Sequence, residues 1–259
     1  MSAQGGGVPR LSVAVIACNE ERNLARCLGS VAFAGELVVV DSGSTDRTIE
    51  VARHYTPHVV HQPWLGYGPQ KNRAIELTTG DWVLVLDADE WLTPELAAEV
   101  RRVLAGPVTA ELYELRRETL FMGRVMRHCW SEDWTPRLFL RDAARYDDRP
   151  VHERLVTREG VRRARLTAPY LHDTYRDLEH HTAKMNRYSQ LFAEDPRTDG
   201  KLGLSRLLLS PVWAFLKMYV LKGGFLDGPE GLVLSVSEGY YHFLKYAKKL
   251  ERKLRRPRE

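Results

Sequence analysis

The sequence predicts an α/β fold: a mostly parallel, Rossmann-like sheet with helices on both faces, followed by a helical C-terminal extension. Three observations predict it. Leu11–Ala17 (LSVAVIA), Glu36–Val40 (ELVVV) and Trp82–Leu86 (WVLVL) are continuous apolar runs rich in β-branched residues, the pattern of strands buried on both faces. Helix-forming segments lie between them, as parallel pairing requires. Each run also stops at a short polar string: Cys18-Asn19-Glu20, Asp41-Ser42-Gly43-Ser44 and Asp87-Ala88-Asp89. Ligands of open α/β sheets bind beyond the strand C-termini, where these strings fall.

Taken in order, residues 1–10 are Gly-rich and expected to be disordered. After the first strand, Asn19 is placed to cap a helix from Glu20 to about Ser30. After the second, Ser44 opens a helix to about His54. His58–His61 reads as a short strand, and Gly68–Thr79 as a helix ended by Gly80. Pro94–Leu104 is a surface helix with proline in its first turn. Beyond residue 107 the pattern changes. Glu111–Arg117, Pro136–Leu140 and Val151–Thr157 read as short strands among polar loops, and Tyr175–Ala193 as a helix. Ser210-Pro211 reads as a cap and first turn of a helix ending at Gly223-Gly224. Pro229 starts the last helix, whose Val233, Val236, Tyr240, Phe243, Ala247, Leu250 and Leu254 form a heptad-like apolar seam. The expected division is a catalytic domain over 11–200, with halves 11–105 and 106–200, and a C-terminal region over 201–259.

A chain of 259 residues suits one large domain with a smaller appendage. Hydrophobic residues at 44% and charged residues at 28% exclude a disordered or fibrous protein. The three cysteines, Cys18, Cys27 and Cys129, are odd in number and fit no zinc spacing. With no charged-then-apolar leader opening the sequence, a reducing cytosolic setting is expected. No run of 18 uninterrupted apolar residues occurs, so a spanning helix is not expected; Leu207–Leu221 comes nearest, broken by Ser210, Pro211 and Lys217. The net charge of +4 is unevenly spread. Lys245–Glu259 holds eight Lys or Arg against two Glu, a net +6, leaving −2 for the rest. A basic tail on a slightly acidic body argues against a nucleic-acid-binding face and for a local anionic partner.

Chemistry concentrates at the strand ends. Asp87 and Asp89, one residue apart at a strand-to-loop turn, can both reach a hard divalent cation such as Mg²⁺ or Mn²⁺, which in turn can bind a diphosphate; the alternative is a solvated acidic loop. Asp41 can accept from a base N–H or a ribose hydroxyl, whereas loop and cap chemistry accounts for Ser44, Thr45 and Asp46.

These strings carry a resemblance. VAVIACNEERNLARCLGSV, ELVVVDSGSTDRT and GPQKNRAIELTTGDWVLVLDADEWL, in that order over about residues 11–105, resemble the family 2 glycosyltransferases of GT-A fold. The resemblance implies a nucleoside site lined by Ala17, Asn19, Glu20 and Asp41. It implies a basic residue near the nucleotide, Lys71, or else a solvated helix lysine. It implies a metal and diphosphate site at Asp87 and Asp89. A single His commonly completes a site of this type, and His172 of LHDTY is the stronger candidate over His152.

Ser131-Glu132-Asp133-Trp134, Arg137-Leu138-Phe139, Val151-His152-Glu153 and Gly224-Phe225-Leu226-Asp227-Gly228 are similar to the subgroup that adds glucose to the inner core of lipopolysaccharide. That similarity implies an inverting transfer from UDP-glucose to a lipid-linked saccharide, with Trp134 and Arg137 toward the acceptor. Inversion needs a carboxylate base for the acceptor hydroxyl. No xED string supplies one, so Glu153 of VHE takes the role, with Asp133 as the alternative. Competing readings are a polyprenyl-phosphate glycosyltransferase, a non-catalytic membrane-docked scaffold, and a nucleotidyltransferase, which would want a Gly-rich basic loop where Cys18-Asn19-Glu20-Glu21 stands.

The C-terminal region mixes Trp213, Phe215, Tyr219, Tyr240 and Phe243 with Lys217, Lys222, Lys245, Lys248 and Lys249. This composition suits a peripheral helical hairpin on the anionic inner face of the cytoplasmic membrane; helices packed on the body with a solvated basic end is the plainer reading.

Overall fold

The computed structural model describes residues 10–130, 133–149, 153–196, 198 and 203–255. The N-terminal stretch expected to be disordered lies, Arg10 apart, outside the described residues. So do Ser131, Glu132, Val151 and His152 of the short motifs and the last four residues of the tail. The chain forms two compact units. One gathers the described residues of Met1–Glu118 and Glu132–His172, the other those of Thr119–Ser131 and Asp173–Glu259.

In the first unit, β1 (Leu11–Ala17), β2 (Glu36–Asp41), β3 (Val59–His61) and β4 (Trp82–Asp87) pair in parallel in the order β3-β2-β1-β4. Between them run α1 (Leu24–Ser30), α2 (Thr48–Tyr55) and α3 (Tyr67–Glu76). The chain continues through β5 (Glu90–Leu92), α4 (Pro94–Ala105), β6 (Leu112–Phe121), β7 (Arg124–Val125), β8 (Asp133–Leu140), β9 (Ala144–Tyr146), β10 (Leu155–Thr157) and β11 (Arg163–His172). Past β4 the sheet order runs β8-β6-β11-β5, with antiparallel pairing of β4 with β8, β8 with β6 and β11 with β5, so the sheet is mixed. β9 and β10 form a separate antiparallel pair.

Alternation along the strands explains the helices on both faces. Leu11, Val13, Val15 and Ala17 of β1 pack with Leu24 and Leu28 of α1, Ala52 of α2 and Leu96 and Val100 of α4. Ala14 and Ile16 point the other way, into a core shared with Ala74 and Ile75 of α3. Four strands were not foreseen: β5, β7, β9 and β11. β11 carries Pro169 and a mostly polar, half-buried face, so neither a continuous apolar run nor a clean alternation marks it.

β8 begins at Asp133, earlier than Pro136, and holds an irregularity. Tyr113 pairs with Leu138 and the next residue, Glu114, with Pro136, leaving Arg137 as an extra residue opposite β6. Pro136 has no N–H to give the ladder, which favours a bulge there, and a bulge re-aims side chains.

The second unit holds α5 (Leu178–Glu194), α6 (Leu204–Leu216), prolonged by a π-helical turn over Lys217–Leu221, a 3₁₀ turn over Gly224–Asp227, and α7 (Gly228–Arg255). Asp177 caps α5 by accepting from the His180 N–H at 2.7 Å. A small core of Phe121, Met126, Cys129, Met218 and Leu234 is knotted by Asp227. The Asp227 carboxylate accepts from the backbone N–H groups of Arg127, His128 and Cys129 at 3.1, 3.1 and 3.0 Å, and from the Cys129 thiol at 3.0 Å. Burial alone would raise its pKa, but these donors win and hold it at about 2.

Three expectations for this unit change. Pro211 lies inside α6, not at its first turn, because the helix begins seven residues earlier. The heptad-like seam of α7 is only partly packed: Val236, Tyr240, Phe243 and Leu254 are exposed, Ala247 and Leu250 are half-buried, and Val233 packs against the small core. The packed side is centred on Gly231, Leu234, Ser235 and Gly239. A Cβ on Gly231 would fall 2.0 Å from the Gly224 carbonyl, and one on Gly239 3.1 Å from that of Pro211, so small residues set the close helix approach. Finally, the 18 residues Leu204–Leu221 are long and apolar enough, by length and composition, to cross a membrane. Lys217 and Pro211 break the apolar run without breaking the helix.

Candidate active site

The first two polar strings fold into one laced pair of loops. Asn19 adopts φ +56° and does not cap a helix. Its N–H donates to Ser44 Oγ at 2.8 Å and its Oδ1 accepts from the Thr45 N–H at 2.8 Å. The Glu20 N–H donates to Thr48 Oγ1, and the Glu21 N–H to Asp46. With these donors drawn sideways, α1 starts only at Leu24 and α2 at Thr48; Ser44 serves the lacing, and Asp46 accepts from the Thr48 N–H at 2.9 Å. Ala17, buried at the end of β1, pairs in register with Asp41. Asp41 is 1% exposed and accepts from the N–H groups of Gly43 and Ser44 at 2.8 and 3.0 Å and from Ser44 Oγ at 2.5 Å. Gly43 meets the turn with φ +104°. The Asp41 carboxylate therefore organises its own loop, and Asn19 and Glu20 present the outer surface of the same cradle.

The third string builds a charged cluster. Asp87 ends β4, Ala88 and Asp89 form a tight turn, and Glu90 starts β5. Glu90 is fully buried; its Oε2 accepts from the Asp87 N–H at 2.9 Å and its Oε1 from Arg137 at 2.5 Å. Arg137, aimed by the bulge, also donates to Asp87 Oδ2 at 3.3 Å. From α3, Lys71 is 3% exposed; its Nζ donates to Asp87 Oδ2 at 3.2 Å and to Glu153 Oε1 at 2.7 Å. Two cations and three carboxylates thus share one buried pocket.

The electrostatics follow from that sharing. Burial would raise the pKa of Asp87, but Lys71 and then Arg137 hold it well below the usual carboxylate range. Burial would lower that of Lys71, yet Asp87 keeps it above the ordinary lysine value. Glu90 goes the other way: burial dominates over Arg137 and raises it. β5 pairs with β11 so that Glu90 faces His172 in register, which brings His172 Nε2 to 3.2 Å from Asp89 Oδ2. Burial lowers the His172 pKa, but the Asp89 carboxylate outweighs it and the net shift is upward.

The structure thus gathers Lys71, Asp87, Glu153 and Arg137 in one cluster and Asp89 with His172 beside it. Arg137 is 5% exposed and spent on carboxylates, which corrects the expectation that it faces an acceptor. Trp134 lies on β8 with the Arg165 guanidinium 4.7 Å over its ring. Asp133, the alternative base, is engaged by Arg117. Sequence reasoning gave no role to Glu90, Gln70 or Asn72. Gln70 is fully buried and donates to Ser42 Oγ and the Gln62 carbonyl; Asn72 exchanges two hydrogen bonds with the Tyr146 backbone. The available signal was three consecutive polar residues, Gln70-Lys71-Asn72, in a helix that must cover a parallel sheet.

Comparison with known proteins agrees with this architecture. Over 250 residues the chain is 31% identical to the lipopolysaccharide core biosynthesis glycosyltransferase LpsC of Rhizobium meliloti, covering 93% of this chain and 92% of that protein. It is 30% identical to an uncharacterised glycosyltransferase of Rickettsia conorii, covering 95% and 92%. Among solved structures, S. aureus TarS in complex with UDP-GlcNAc matches with a TM-score of 0.51 and 14% identity over 95% of this chain and 92% of that one, a likeness of fold. The model of Glycosyl transferase family 2 matches residues 12–165, the stretch holding both laced loops, the charged cluster and Glu153, and the chain belongs to that family.

Proposed function

We propose that this transferase moves glucose from UDP-glucose, with inversion, onto a saccharide carried by a lipid such as the inner core of lipopolysaccharide. The observation that carries the reading is the Glu153 carboxylate held 2.7 Å from Lys71 Nζ, on a lysine that also grips Asp87. One side chain ties the base to the strand end where the donor diphosphate binds, so base and donor are positioned together. Glu153 accepts the proton of the acceptor hydroxyl as that oxygen attacks the anomeric carbon; the bond to the UDP oxygen breaks on the opposite face. Glu90 and Arg137 fix Asp87 from behind. Asn19, Glu20, Ala17 and the Asp41 turn form the nucleoside cradle.

A divalent cation fits the donor set. Among the described residues no three His, Cys, Asp or Glu side chains converge to hold an ion alone. Asp89 and His172 are adjacent, and Asp87, two residues before Asp89, is partly exposed with Lys71 Nζ 3.1 Å from its Oδ1. That suits Mg²⁺ or Mn²⁺, which take one or two carboxylates and complete their shell with substrate phosphates. Bound there, the ion would stabilise the charge of the departing diphosphate.

The second unit supports a membrane-borne acceptor. Leu204, Leu208, Val212, Leu216 and Val220 recur every four residues along one helix face and are exposed, with Trp213 beside them at 59%. So large an uncovered apolar face on a chain with a basic tail suits an anionic cytoplasmic leaflet. The deciding experiment is a panel of nucleotide sugars scored for UDP release and transfer, with Mg²⁺, Mn²⁺ or excess EDTA. UDP-glucose should lead and EDTA should stop it; undiminished turnover in EDTA, or preference for another sugar, overturns the corresponding part.

A further inference from the structure

The loop after β3 carries exposed aromatic rings that neither the donor cradle nor the charged cluster uses. Trp64 is 50% exposed and Tyr67 39%, yet their rings meet edge to face, with centroids 4.8 Å apart and planes at 87°. The loop is not left loose. Gln70, buried beneath it, accepts from the Leu65 N–H at 3.3 Å and donates to the Gln62 carbonyl and to Ser42 Oγ. Gly66 turns the chain at φ +104° into α3.

Helix geometry then fixes what the pair overlooks. Tyr67 and Lys71 are four residues apart on α3, hence on the same face, one turn above the other. Lys71 holds Glu153. Gly68, between them, is crowded against the same segment: a Cβ there would stand 3.5 Å from the Glu153 Cβ and 1.9 Å from the Asp147 carbonyl oxygen. The two rings therefore stand at the end of α3 that abuts Glu153.

We propose that Trp64 and Tyr67 form a stacking platform for a pyranose ring of the acceptor saccharide, orienting its hydroxyl toward Glu153. The proposal rests on Glu153 being the base of a sugar-to-sugar transfer. Trp64, half exposed and braced edge to face by Tyr67, presents an aromatic surface, and a sugar ring offers an apolar C–H face of matching size. The polar edge of a nucleoside is served instead by the laced loops of β1 and β2.

The test uses full-length protein with UDP, Mn²⁺ and delipidated lipopolysaccharide inner-core oligosaccharide as the acceptor probe, read by saturation-transfer NMR and titration calorimetry. Trp64→Ala should weaken oligosaccharide binding about five- to tenfold, while Trp64→Phe restores most of it and UDP affinity stays within about twofold. Tyr67→Ala should act in the same direction. Loss of UDP affinity in Trp64→Ala would assign the ring to the donor base and overturn the proposal. So would unchanged oligosaccharide binding in both variants, or a wild-type enzyme that turns over UDP-glucose without binding the oligosaccharide. No UDP release from any UDP-sugar would instead remove the transferase chemistry on which the platform depends.

Discussion

Asp87, partly buried, and Asp227, buried, lie one in each unit, and they are kept ionised in different ways. Asp87 leans on two side-chain cations, Lys71 and Arg137. Asp227 leans mainly on three backbone N–H groups and a thiol, with the His128 ring 2.8 Å away as its one side-chain ring partner. Backbone donors cannot move without unfolding the turn that carries them, so Asp227 is part of the scaffold. Side-chain cations can exchange partners when a diphosphate arrives. The nature of the donors thus separates a carboxylate available for chemistry from one committed to structure. By the same criterion Asp41, held by its own loop's N–H groups, is committed to the shape of that loop, which in the proposed reading is the nucleoside cradle.

The contrast can be broken at its most reactive point. Glu153→Gln keeps the Lys71 contact but cannot take a proton, so transfer should fall by about 10²–10⁴ while UDP-glucose binding persists. Near-normal turnover, measured by UDP release with acceptor present, would move the base elsewhere.

Removing a cation tests the cluster itself. Arg137→Met leaves Glu90 buried without its cation, holding only the Asp87 N–H, and denaturant unfolding should show a loss of about 3–5 kcal/mol. Adding Glu90→Gln should restore part of it; if the single variant is as stable as wild type, the pair does not hold the turn.

The scaffold carboxylate predicts a pH dependence. Asp227 sits at about 2 folded against an ordinary 3.8, so its contribution is complete above the unfolded value and is lost as pH falls from about 4 through 2. The loss is about 2 kcal/mol. Asp227→Asn should flatten acid unfolding in that window, followed by circular dichroism; an unaltered acid limb would mean the knot is not what titrates.

The smallest effects belong to the surface. Each Lys or Arg near an anionic leaflet contributes about 1 kcal/mol before screening. Deleting residues 251–259, exposed over 251–255, should lower co-sedimentation with anionic vesicles and blunt its salt dependence, whereas Leu208→Ser with Val212→Ser should weaken binding at every salt concentration. A full-length chain that ignores such vesicles at low salt would make the exposed face of α6 something other than a lipid contact.

The parallel half of the fold was legible because buried strands advertise themselves as unbroken β-branched runs and because their ends carry the polar strings. β11 was not legible, since Pro169 and alternating polar residues erase both signals. Asp87, Asp89 and Lys71 could be found by position after a strand or within a motif. Glu90 could not: its importance comes from Arg137, 47 residues away, and from an insertion in β8 that only the pairing register reveals. In α7 the apolar spacing does not by itself locate the packed face, because glycines and a serine, which carry no hydrophobic signal, form much of it.

The extra residue in β8 also changes the parity of the strand. Leu138 packs in the core on the α1 side of the sheet, and Thr135, three residues earlier, shares a 2.7 Å hydrogen bond with Tyr170 of that same core. In an unbroken strand, residues three apart would face opposite sides. Straightening the strand with residue 137 kept in the ladder would turn everything before it to the other face of the sheet, whereas deleting residue 137 would make the ladder regular, leave Thr135 opposite Leu115 and remove the cation. The irregularity is therefore a phase shift on which both the sidedness of the strand and the supply of a cation to Asp87 depend.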